Sequence, residues 1–160
     1  MTRYAAQTDV PSDRSRTEIE RVLTRYGATS FAYGWDAGAA QIGFAMRDRH
    51  VKFVLPMPDR AARRFTHTPE RGNLRSREAA DREYDQAVRQ AWRALLLVIK
   101  AKLEAVDAGI TTIEAEFLAH IVLPDGRQVM DALAPQLEDA YRTGRMPPLL
   151  SPPRNGGGSP

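Results

Sequence analysis

Arg60, Arg63, Arg64, Arg71, Arg75 and Arg77 are gathered in one stretch, RAARRFTHTPERGNLRSR at 60–77, with Glu70 as its single acidic residue. A guanidinium presents a planar fork that fits two phosphate oxygens, and Thr66, His67 and Thr68 add donors suited to the same oxygens. The chemistry this pattern predicts is anion binding. The stretch sums to +5, whereas the rest of the chain holds 17 basic and 19 acidic residues, so the whole net charge of +3 arises here. A concentrated basic excess implies a local anionic partner. Arginine outnumbers lysine 20 to 3, as GC-rich coding alone produces. That bias explains arginine over lysine but not the avoidance of acidic residues, and a merely solvated loop is the competing reading. Nothing in the stretch resembles a base-reading helix, so contacts would go to phosphates without sequence preference.

Other chemistries find less support. The absence of cysteine excludes disulfides, thiolate metal sites and cysteine nucleophiles. His50, His67 and His120 have no second ligand at a metal-site spacing. Glu114 and Glu116, at i and i+2 on a helix, diverge. GATSFAYG and AGAAQIG lack the lysine and the setting of a phosphate loop, and no serine sits in a nucleophile elbow. No motif identifies an enzyme, a cofactor or a metal. The N-terminus has no apolar signal region, and ALLLVI at 94–99 is far short of a membrane span. A cytoplasmic protein is the expectation.

The elements that would position the arginines follow from periodicity. Residues 1–16 read as a flexible arm and 17–144 as one α+β domain with a basic loop at 57–76. Residues 145–160 read as a Pro/Gly-rich disordered tail. A capping box at Thr17 and Glu20 opens a first helix whose Ile19, Val22, Leu23 and Tyr26 share a face before Gly27 ends it. Residues 30–56 alternate with period two across two short turns, which predicts a three-stranded antiparallel meander. Phe31, Tyr33, Trp35, Ile42, Phe44, Val51, Phe53 and Leu55 line one face, expected to be core beneath a helix. Exposure of the aromatic residues would instead point to base stacking. Ala32, Gly34, Gly43 and Ala45 line the other face with Lys52, which adds positive charge. Packing of the first or last helix on that face is expected.

Ser76 caps a long helix to Asp107, with Val88, Trp92, Leu95, Ile99, Leu103 and Val106 as its apolar stripe. At about 45–50 Å it outreaches a domain of this size, leaving Tyr84, Val88 and Trp92 to seek cover from another subunit. A capping box at Thr111 and Glu114 opens a shorter helix to about His120. A last helix covers 128–143, with Pro135 as an expected kink or restart.

The stretches SFAYGWD and WRALLLVIKAKLEAVDAGITTIEAEFLAHIVLPDG resemble uncharacterised proteins of actinobacterial phages and prophages over about residues 17 to 150. The resemblance implies a phage context and no particular activity. The order of meander, basic connection and long helix is also similar to annealing proteins of the Rad52 superfamily, in architecture alone and with no residue motif. The leading expectation is nucleic-acid binding, single-stranded DNA included, in phage DNA metabolism. It would use Arg60, Arg63, Arg64, His67, Arg71, Arg75, Arg77 and Lys52. The alternative is a non-enzymatic assembly protein, a homo-oligomer formed through the long helix.

Overall fold

Alternation along residues 30–56 resolves into β1 (Ser30–Trp35), β2 (Ala39–Met46) and β3 (Arg49–Pro56), paired antiparallel in the order β1-β2-β3. The computed structural model describes residues 13–36 and 38–149. Phe31 stands opposite Phe44 and Phe44 opposite Val51, while Tyr33, Ile42 and Phe53 form the next row. A period of two places both rows on one face. Ala40, Ile42, Phe44, Met46, Val51 and Phe53 are all buried there. Arg47 and Asp48 both take positive φ (48° and 60°), so a two-residue turn of the kind that matches strand twist joins β2 to β3.

The helices cover that one face. In α1 (Asp13–Arg25) the side chains of Ile19, Val22 and Leu23 are buried. The helix begins at Asp13 rather than Thr17, because Asp13 pairs with Arg16 (3.1 Å) and the Arg16 guanidinium lies 4.5 Å over the Tyr33 ring. Residues 13–16 are therefore part of the domain and not of an arm. In α3 (Arg77–Asp107) the Ser76 hydroxyl accepts from the Ala79 N–H, and the 31 residues extend about 46 Å. Its expected stripe is buried from Val88 to Leu103, with Val106 half-buried at the end.

The cap of α4 (Ile113–Phe117) is Thr112, one residue later than its sequence suggests, and a 3-10 turn at Leu118–His120 follows. Phe117, fully buried, meets Phe44 and Phe53 edge-on at 5.8 and 6.1 Å. Ile121 then bridges to Val51, and the Gln128 amide donates to the Lys52 carbonyl. This covers part of the outer edge of β3, which would otherwise offer unpaired backbone groups. α5 (Val129–Thr143) runs through Pro135 unbroken, started by a reciprocal Gln128–Asp131 cap. Among the described residues the outer sheet face stays open at Ala32 and Gly34, contrary to the expected helix packing. Ala32 and Gly34 are exposed, and a Cβ on Gly34 would meet nothing within 4 Å. One antiparallel face in solvent is a common solution when the other holds the whole core.

His120 stacks on Phe53 at 4.1 Å, and burial, then the nearby Lys102 charge, push its pKa below the ordinary 6.5. A hydrogen bond to the Lys52 backbone opposes this in part. Because the folded pKa is depressed, the unfolded chain binds the extra proton first. The contribution of neutral His120 is therefore complete above pH 6.5 and is lost as pH falls from there toward the folded pKa. Urea titrations between about pH 7.5 and pH 5 are expected to show His120→Gln less acid-sensitive than the parent across that window.

Candidate nucleic-acid interface

The arginine segment is an ordered scaffold rather than a long loop. α2 (Arg63–Thr66) is a single turn whose Phe65 is buried and meets the Tyr84 ring edge-on at 5.6 Å. After it the chain doubles back. His67 bridges Leu74, the Arg75 N–H donates to the Thr66 carbonyl (2.7 Å), and the Thr68 N–H donates to the Asn73 carbonyl (2.8 Å). This small hairpin and α2 lie on the N-terminal half of α3, which answers how a helix longer than its domain finds cover. Val88 and Trp92 are buried in the domain core, Trp92 against Tyr33, while Tyr84 is half-buried under Phe65 and Arg60, so the cover expected from another subunit comes from within the chain.

Two arginines hold this scaffold. Arg60 pairs with Asp81 (2.5 Å) and lies 4.1 Å over the Tyr84 ring. Arg75 donates from Nε to the His67 carbonyl (3.1 Å) and reaches Glu83 at 3.5 Å. With its side chain 18% exposed, Arg75 is the least accessible of the ion-paired arginines. Asp81 and Glu83 already answer the charges of Arg60 and Arg75, which makes both weaker phosphate ligands than an unpaired arginine. His67 is half-buried with Nδ1 against the Thr66 hydroxyl at 2.8 Å, and it serves the turn. Lys52 points to the outer face of the sheet, opposite Gly43, whereas the scaffold packs on a helix of the inner layer. The structure does not bring Lys52 to the arginines.

Arg63, Arg64, Arg71 and Arg77 remain, all exposed and without an ion pair among the described residues. Arg64 rests 4.5 Å over the Phe65 ring, a contact that leaves its guanidinium edge open. Arg63 lies against Gly72, where a side chain would begin 3.1 Å from Arg63 Nη2 and where φ is +63°. Glycine at 72 thus permits both the left-handed turn and the close approach of the guanidinium. Arg77 is the first residue of α3, at the positive end of the helix dipole, where a cation is unfavourable and an anion is welcome. Glu78 offsets only part of that charge.

One residue that the sequence predicts in the core is exposed instead. Trp35 is 71% exposed, against the expectation of burial, while Phe31 and Tyr33 are half-buried. Its parity is that of the core face, since it stands opposite the buried Ala40. Yet it ends the edge strand, one step beyond Tyr33, whose ring meets Trp92 at 5.5 Å. The adjoining turn is fixed. Asp36 Oδ1 accepts from the N–H groups of Gly38 (2.8 Å) and Ala39 (2.9 Å), which hold its carboxyl below the usual range. The Met57 N–H donates to the Gly38 carbonyl (2.9 Å), so β3 leaves the sheet beside this turn, three residues before Arg60. The exposed indole and the arginine scaffold therefore share one end of the sheet.

Among the described residues no cluster of three or more histidines and carboxylates is placed to hold a metal ion, and no helix is long and apolar enough to cross a membrane. Glu116 is engaged by Lys102 at 3.3 Å. Comparison with protein-family models, curated proteins and solved structures returned no match for this chain. The molecule is thus defined by its geometry: an α+β domain carrying a basic scaffold on its long helix. Exposed Trp35 stands at the neighbouring corner of the sheet.

Proposed function

We propose that this protein binds nucleic acid without sequence preference, with phosphates on Arg63, Arg64, Arg71 and Arg77 and bases stacking on Trp35. One observation carries the reading. Four exposed arginines, free of ion pairs among the described residues, are presented by a scaffold that two further arginines and Phe65 hold in place. A held backbone that carries exposed, unneutralised guanidinium groups lowers the ordering penalty of binding an anionic polymer. The Trp35 indole adds what a phosphate clamp lacks, a sequence-tolerant surface for an unstacked base. The resemblance to proteins of actinobacterial phages would place this activity in phage DNA metabolism.

Intrinsic fluorescence tests the reading directly. Trp92 is 1% exposed, so a change on adding oligonucleotide reports Trp35. At about 50 mM salt, both single strands and duplex are expected to raise the anisotropy of a labelled probe, and single strands to quench the tryptophan signal. Trp35→Ala is expected to weaken single-strand binding by about tenfold or more, given roughly 1–3 kcal/mol per stacked base. Duplex binding should change little. No anisotropy change with either probe at that salt would refute the proposal.

A further inference from the structure

We infer that the outward face of α3 pairs two copies of this chain in an antiparallel helix pair about Leu97 and Val98. The two side chains are 55% and 45% exposed in the middle of a long helix. They are not isolated. Ala94 and Ala101 continue the same face one turn either way and are exposed too. This strip lies opposite the buried stripe of Trp92, Leu95, Ile99 and Leu103, so α3 is apolar on two sides. Only one of them serves the domain core.

Neighbouring elements bound the strip and leave it open. On one flank Lys100 ties α3 to Glu18 of α1, and on the other Lys102 ties it to Glu116 of α4. Small residues above and below Leu97 and Val98 let a second helix approach closely, while these two supply the larger apolar contact. The occupant is a second copy because the face is self-complementary in charge when two copies run antiparallel. About a twofold axis near Leu97 and Val98, Arg93 of one chain comes within side-chain reach of Glu104 of the other, and the pair occurs twice. Arg93 is exposed and has no ion pair among the described residues. Glu104 is already oriented, since the Tyr26 hydroxyl donates to its Oε2 at 3.1 Å and leaves Oε1 for a partner.

A single helix pair falls at the small end of specific interfaces, so the association should be weak and reversible. Sedimentation velocity on the full chain over about 1–200 µM is expected to show the mass rising from 17.8 kDa toward twice that value. Leu97→Glu sets like charges near the axis and should keep the protein monomeric across this range, with a thermal midpoint equal to the parent's at about 1 µM, where the parent is itself monomeric. Arg93→Glu and Glu104→Arg should each weaken the dimer about tenfold or more, and the double swap should restore it. A parent that stays at 17.8 kDa throughout overturns the inference. So does a dimer that Leu97→Glu leaves intact, or a double swap that fails to restore association. A Leu97→Glu protein whose thermal midpoint is clearly lowered even at about 1 µM, where the parent is monomeric, overturns it as well, since the face would then be covered within the chain.

Discussion

Replacing Phe44 with alanine is expected to lower the free energy of unfolding by about 3–5 kcal/mol, the range for removing a buried aromatic ring. Phe44 is 3% exposed in the middle of β2, the central strand, with the rings of Phe53 and Phe117 at 6.5 and 5.8 Å. Both neighbours of that strand are hydrogen-bonded to it, so the backbone has little freedom to close the gap. Domains of this class are stable by about 5–15 kcal/mol, which makes this a large fraction of the total. Urea denaturation should show a lower midpoint with an unchanged slope. Trp35→Ala is the matching control. It removes a larger ring of the same face parity, yet at 71% exposure it should change stability by under about 0.5 kcal/mol. Comparable losses in the two variants would mean that Trp35 belongs to the core after all.

That contrast shows where periodicity ceases to be informative. Alternation placed all three strands, and the three-and-four spacing from Val88 to Leu103 placed the long helix with its Ser76 cap. Both signals report which face a side chain occupies. Neither reports how far along an element the opposing layer extends, so the pattern predicts Trp35 in the core although it stands exposed. The helix start failed for a related reason. Thr17–Glu20 has the spacing of a cap, but the turn before it is held by Arg16 over Tyr33, a contact with a strand that no local pattern contains.

The arginine segment was conspicuous in composition and opaque in structure. Its excess of +5 was legible, whereas the partners of Arg60 and Arg75 were not. Asp81 and Glu83 lie on the first turns of α3, 21 and 8 residues from those arginines in sequence. By charge alone they read as the solvated face of a helix. Only the fold-back of α2, anchored by Phe65 on Tyr84, brings the two sets together. Tyr84 gains its cover from that packing and Val88 and Trp92 from the domain core, which removes the ground the sequence offers for an oligomer. A different apolar surface remains at Leu97 and Val98, off the stripe of Val88, Trp92, Leu95, Ile99, Leu103 and Val106.

Replacing Arg63, Arg64, Arg71 and Arg77 together with alanine is expected to weaken binding of any oligonucleotide on the order of 100-fold at about 50 mM salt. The loss should not depend on base sequence. With four phosphates engaged, the parent's slope of log K against log salt should be about −3 for single strands and about −3.5 for duplex, at roughly 0.7 to 0.9 per contact. Six contacts would give values nearer −4 and −5, which Arg60 and Arg75 prevent while they remain paired with Asp81 and Glu83. The quadruple variant should bring the slope close to zero. Its stability should stay within about 0.5 kcal/mol per site of the parent, since all four side chains are exposed. Arg60→Ala and Arg75→Ala act differently. They should loosen the scaffold and lower stability, while reducing the salt slope only through lost positioning of the other four. A variant lacking the four exposed arginines that bound DNA like the parent would show this surface to be solvated charge. A slope lost only in Arg60→Ala and Arg75→Ala would move the phosphates to the paired arginines.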